Sequence, residues 1–281
     1  MALPQSLLNL SDTLSYFDKY DYPLTLDEIK YWSSATHPLS FPLSLVKRGD
    51  RGELYFLPGR SHLVKLRKQR EQFSKAKWVI AHHQAAKLAK LPFVMAIFVT
   101  GALAMNNCPK DDDIDLMIIT KSNTLWITRF FVNLFLNSHR RHPDDKTAPN
   151  KICLNLWLDT NNLVLHAHSI YTAHEILQAK CIFDRGGIHR QFLKQNSWVK
   201  KYLPVAYKSQ AQNSLPADAS HQAMQAGKVQ INSKSQFPNT NLVIRILNLM
   251  LFVLQWLYMK PKMTTERVSL GYAFFHPTKQ S

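Results

Sequence analysis

The sequence predicts a mixed fold of the α/β or α+β class, a small sheet carrying helices on one side, and three observations predict it. Two apolar, β-branched runs, "PFVMAIFVTG" (residues 92–101) and "DIDLMIIT" (residues 113–120), are separated by a short spacer that begins at Gly101. A third such run, "KICLNLWLD" (residues 151–159), follows a segment with helical periodicity, "TLWITRFFVNLFLN" (residues 124–137). Helix-patterned segments lie both before and after this block.

The elements follow in chain order. Residues 5–35 read as two helices, the second opened by Pro23 and a capping box of Thr25 and Glu28. "GELYFLPGR" (residues 52–60) reads as a short strand closed by a Pro-Gly turn. Helices followed by a short hairpin outline a winged helix, and equally a helical cap on the next domain. Residues 60–90 hold Arg60, Lys65, Arg67, Lys68, Arg70, Lys75, Lys77, Lys87 and Lys90 against a single acid, Glu71, and read as two basic helices. They are a solvated face or a surface that tracks phosphates. After residues 151–159, "NLVLHAHSI" reads as a fourth strand turning at Asn161-Asn162, then "YTAHEILQAKCIF" and "IHRQFLKQNSWVKKYL" as helices parted by Gly186-Gly187. Residues 208–241 are rich in Gln, Ser, Asn and Ala and read as a flexible linker.

The last segment, Leu242–Met259, is 18 residues long and mostly apolar. A spanning helix needs about 20 apolar residues. This one carries Arg245, Asn248 and Gln255, and an arginine at bilayer depth costs about 2.5 kcal/mol or more. A buried or interfacial helix is expected over a membrane span, with an oligomer interface as the other reading. The chain divides accordingly into residues 1–60, 61–207, the linker 208–241, and 242–281.

Among 281 residues, Lys and Arg outnumber Asp and Glu by 35 to 19, and the pI is near 9.8. That balance favours polyanionic partners, with residues 60–90 as the nucleic-acid surface. The three cysteines, Cys108, Cys153 and Cys181, form no C-x-x-C pair, which argues against a disulfide framework and a structural zinc site. No signal peptide is read at the N-terminus. A cytoplasmic protein is expected.

Against this basic background, Asp111, Asp112, Asp113 and Asp115 crowd the start of an apolar strand. Close carboxylates at the mouth of a buried strand are costly unless a cation lies between them. Alternation puts Asp113 and Asp115 on one face, where they can hold Mg²⁺ or Mn²⁺, while Asp111 and Asp112 read as solvated turn residues. Gly101 lies 12 residues before Asp113, at a strand end where a triphosphate can approach free backbone N–H groups. A polar turn without metal would carry the same aspartates. His166 and His168 have H-x-H spacing but no third ligand nearby, and are expected in surface or core roles. Arg129, Lys110 and Lys121 are within reach of a phosphate at this site or are plain surface charges. Asn196 and Trp198 read as structural.

"VTGALAMNNCPKDDDIDLMII" resembles the signature of the DNA polymerase β-like nucleotidyltransferase superfamily: a hydrophobic residue, Gly, Gly or Ser, a spacer, then Asp-hydrophobic-Asp-hydrophobic. Thr100 stands at the hydrophobic position, Gly101 at the glycine, Ala102 at the Gly/Ser position, and Asp113-Ile114-Asp115-Leu116 at the aspartate pair. The rest is similar to uncharacterised bacterial proteins with a nucleotidyltransferase domain and a "YFLPGR"-type N-terminal segment. The resemblance implies that residues 61–207 form a nucleotidyltransferase-like domain. It also implies Mg²⁺-dependent transfer of a nucleoside monophosphate from an NTP, with Gly101 and Ala102 binding the nucleotide and Asp113 and Asp115 holding metal. A third carboxylate is expected on a later strand. The strand 151–159 offers Asn155 at that place, or Asp159 at its end. Asn155 can ligate through oxygen but cannot act as a base, so a nucleotide- or nucleic-acid-binding module without turnover is the alternative.

Overall fold

The computed structural model describes residues 10–33, 47–48, 54–142, 145, 147–214 and 241–275. It is a mixed α+β structure built on a six-stranded sheet. Three strands match the apolar runs: β3 (Val94–Val99), β4 (Ile114–Thr120) and β5 (Ile152–Asp159), numbered after the two-residue hairpin strands β1 (Lys47–Arg48) and β2 (Tyr55–Phe56). Every residue of β3 is buried, so this strand is covered on both faces. With β6 (Lys180–Asp184), β7 (Arg267–Val268) and β8 (Tyr272–Phe274), the order is β6-β3-β4-β5-β8-β7. Only β4 and β5 are parallel.

Helices cover both faces of the sheet, not one. On one side, α1 (Leu10–Asp18), α2 (Leu26–Trp32), α6 (Ile170–Gln178), α7 (Ile188–Gln195) and α8 (Pro204–Asn213) share a core with Met95, Phe98, Met117 and Ile119. On the other, α3 (Leu63–Leu88) and α5 (Leu125–Leu136) pack on Ile97, Val99, Leu116 and Ile118. Alternation along β4, and along β3 beyond an irregularity at Met95, divides these two sets of side chains. The four-residue α4 (Gly101–Ala104) links β3 to the aspartates.

Four readings of the sequence need correction. Residues 60–90 form one 26-residue helix, α3, rather than two. "NLVLHAHSI" is not a strand. The buried Asn196 side chain takes its backbone hydrogen bonds, donating to the Leu163 carbonyl at 2.7 Å and accepting from the Leu165 N–H at 2.8 Å. "KCIFD" is an edge strand instead of a helix end, because the chain turns extended at Ala179 and pairs with β3. Of the expected linker, residues 208–213 belong to α8, while residues 215–240 lie outside those described. Within the last segment, 242–281, residues 267–268 and 272–274 supply β7 and β8, which extend the sheet beyond β5.

The basic run has a structural use. Arg60 donates to Asp18 at 3.0 Å and to Asp21 at 2.6 Å. Arg67, buried on α3, grips Glu28 through two nitrogens at 2.8 and 2.9 Å and lies 4.4 Å from the Tyr22 ring centroid. These arginines bind the N-terminal helices to α3. Lys65, Lys68, Lys75, Lys87 and Lys90 stay exposed. Residues 34–46 and 49–53 of the expected winged-helix module lie outside the described residues.

Candidate metal centre

The site lies where the end of β3 meets the starts of β4 and β5. β4 pairs with β5 so that Asp115 lies opposite Cys153, and an irregularity follows, because Met117 pairs with Leu156. That extra residue in β5 brings Asn155 beside Asp115 as well. The Asn155 amide nitrogen donates to Asp115 Oδ1 at 2.9 Å. Its own oxygen, Asn155 Oδ1, is buried with no hydrogen-bond partner.

Asp113 and Asp115 face the same place, as alternation requires. Their carboxylates and the Cys153 thiol offer ligand atoms that all lie within 4.8 Å of one another. Asp113 is buried, and Arg141 Nη1 donates to its Oδ2 at 2.6 Å. Arg141 comes from the polar loop after α5, and its backbone N–H bonds the Ile152 carbonyl at 2.9 Å, which fixes that loop to β5. Burial, then the charges of Asp113 and Asp112, push the Asp115 carboxyl up to about 7. Burial and the charges of Asp115 and Asp113 raise the Cys153 thiol well above its usual range. A protonated thiol suits a hard, oxygen-seeking cation poorly, so the oxygen atoms are the natural ligands here.

Gly101 completes the site. Its φ is +61°, and a Cβ built there would lie 2.3 Å from Asp115 Oδ2. Glycine is needed for both reasons. Gly101→Ala is therefore expected to cost roughly 1–3 kcal/mol and to displace the Asp115 carboxylate. Chemical denaturation reads the first effect and divalent-cation titration the second, and a fully stable variant with unchanged cation affinity would contradict the assignment. Ala102 follows in α4, half-buried, with no side-chain polar group to offer.

The other candidates are placed elsewhere or used differently. Asp159 is at the opposite end of β5, paired with Thr120. Its carboxylate accepts from the Asn123 and Asn161 N–H groups and, at 2.7 Å, from Asn162 Nδ2, so it ties turns together and does not ligate at this site. Asp111 is exposed, as a turn residue should be. Asp112 is half-buried, and burial with the neighbouring Asp113 raises its pKa. Its carbonyl accepts from the buried Lys77 ammonium and from the Asn150 N–H. Arg129 lies between the Phe275 ring and Gln255, and burial pushes its guanidinium down. His166 and His168 are exposed, and His168 stacks on Trp198 at 4.3 Å. The three cysteines are free thiols.

Sequence reasoning missed Arg141 and Cys153. Cys153 stands two positions before Asn155 in one strand, a spacing that was legible; Arg141 stands in a loop with no periodicity to place it. No protein-family model, no curated protein and no solved structure matches this chain.

Proposed function

We propose that this chain is a Mg²⁺-dependent nucleotidyltransferase that moves a nucleoside monophosphate from an NTP to an acceptor hydroxyl. The reading rests on one juxtaposition: two carboxylates, with the Asn155 amide bonded to one of them, against a glycine that leaves the backbone open. These residues fit a hard divalent cation. Asp113 and Asp115 supply charge, and Asn155 supplies a neutral oxygen once its amide turns over. When bound, the metal neutralises phosphate charge and helps align the transfer. Asp115, its carboxyl pushed up to about 7, would release its proton to solvent on taking up the cation. Arg141 leaves Asp113 and turns toward the phosphates, for which a guanidinium is well shaped. Gly101 and Ala102 present backbone N–H groups to the triphosphate. The N-terminal helices and hairpin act as a winged-helix-like module, and the exposed lysines of α3 favour a nucleic-acid acceptor in a cytoplasmic setting.

A second reading has its own support. Asn155 at the third position and Arg141 on Asp113 both suit a degenerate site that binds nucleotide or nucleic acid without turnover. Titration calorimetry with Mg²⁺ and a non-hydrolysable NTP tests what the two readings share. Wild type is expected to bind only with Mg²⁺, and Asp113→Asn/Asp115→Asn to lose binding by about 10²-fold or more, the worth of about 2.7 kcal/mol. Equal binding by both proteins, or by neither, would reduce the aspartates to a turn. Release of pyrophosphate during turnover separates the enzyme from the binding module.

A further inference from the structure

α9 (Leu242–Met259) is patterned inside out. A helix on a water-soluble domain normally buries its apolar stripe and exposes its polar one. Here two of the three polar residues, Asn248 and Gln255, face the protein, while Arg245 is exposed. Asn248 is buried, and its Oδ1 accepts the Trp126 and Ile127 N–H groups at 2.8 and 3.2 Å, capping the start of α5. Gln255, two turns on and on the same face, donates to the Trp126 carbonyl at 2.9 Å and accepts from Arg129. The apolar residues face outward: Val243, Met250, Leu254 and Leu257 are each more than half exposed, and α5 beside them exposes Leu134 and Phe135. An 18-residue window of the segment Leu242–Lys262 has a mean hydropathy of 1.8, yet only 6% of that window is buried. Among the described residues it is the one helix long and apolar enough to cross a membrane.

The charges on α5, on α9 and in the turn that ends α9 at Lys262 are of one sign. Neither α5 nor α9 carries an Asp or Glu. Arg245 is exposed on α9, and Lys260 and Lys262 follow its end, 4.6 and 4.8 Å from the ring centroids of Trp256 and Tyr258. Aromatic rings paired with cations at the end of an apolar helix suit the headgroup boundary of a bilayer. A second copy of this chain would bring the same cations against each other, with no acid on either helix to receive them.

We propose that the outward face of α9, with α5 beside it, docks on an anionic bilayer surface and holds the domain there. The helix lies in the interface and does not span it, because Asn248 and Gln255 stay bonded to α5. The inference stands independently of the nucleotidyl-transfer reading.

Flotation of the full chain with phosphatidylcholine vesicles, with and without phosphatidylglycerol, tests it. Wild type is expected to float with the anionic vesicles, more weakly with pure phosphatidylcholine or in raised salt, and to be released by alkaline carbonate. Leu254→Glu/Leu257→Glu changes two exposed residues and is expected to lower vesicle binding by about tenfold or more with an unchanged thermal melt. Absence of wild-type flotation, or equal flotation of the double variant, would overturn the proposal. Resistance to carbonate would show a span instead. A wild-type dimer that the double variant breaks, without vesicle binding, would show that a second copy covers the face.

Discussion

Glu28→Ala is expected to lower the stability of this protein by about 2–3 kcal/mol, below the cost of breaking a fully buried ion pair because Arg67 keeps Glu71 at 3.0 Å. Few side chains here carry as many bonds. Glu28 accepts from Arg67 twice, from the Thr25 N–H at 2.8 Å and from the Tyr22 hydroxyl at 2.7 Å. Its own N–H bonds Thr25 Oγ1, which closes the capping box. Arg67 is left buried without its main counter-charge when Glu28 goes. Burial alone would raise the Glu28 pKa, but the Arg67 bonds, its charge and the Thr25 N–H outweigh it, and the net shift is downward. The sign of the pH dependence follows. The unfolded carboxyl holds its proton more tightly than the folded one, so this stabilisation is complete above the ordinary glutamate pKa and is lost as pH falls through the folded value. Urea unfolding of wild type and Glu28→Gln across acid pH reads this directly. The gap between them should narrow as pH drops, and a gap independent of pH would mean that the charge contributes nothing.

That cluster marks how far sequence reading reaches. The capping box was legible, because Thr25 and Glu28 are three residues apart. The grip of Arg67, 39 residues later, was not, because nothing local distinguishes it from the solvated cations around it. The same division runs through the fold. β3, β4 and β5 are long enough and apolar enough to declare themselves. β8 has three residues and takes its strand geometry from pairing with β5, so it has no periodicity to read. "NLVLHAHSI" alternates like a strand, yet the Asn196 side chain outcompeted a ladder for its backbone. At the site, Asp113, Asp115 and Gly101 were found from spacing and Asn155 from the third position that the resemblance implies, and the structure brings these four together. Asp159 failed because four residues of strand carry it about 13 Å beyond Asn155, to the opposite end of β5.

Asn155→Asp carries the most weight for function. The substitution keeps the shape of the side chain and replaces the donor to Asp115 with a third carboxylate. Without metal, one hydrogen bond becomes a repulsion, and stability is expected to fall by roughly 1–3 kcal/mol. With metal, the same charge becomes a ligand, so Mg²⁺ affinity should rise by about tenfold or more, and added Mg²⁺ should restore the stability lost. Arg141→Ala approaches the balance from the opposite side. It removes the cation that sits on Asp113, so the metal-free protein should weaken while Mg²⁺, facing no competitor, binds about tenfold tighter. Turnover separates the two variants. A carboxylate at position 155 can take a proton from the acceptor, a role worth about 10²–10⁴-fold, whereas Arg141→Ala adds no base and loses a group that could meet the phosphates. Nucleotidyl transfer should therefore rise in Asn155→Asp and fall in Arg141→Ala, although both bind metal more tightly. If Asn155→Asp leaves metal affinity and turnover unchanged, the amide at position 155 is packing alone, and the three-residue reading of the site is wrong.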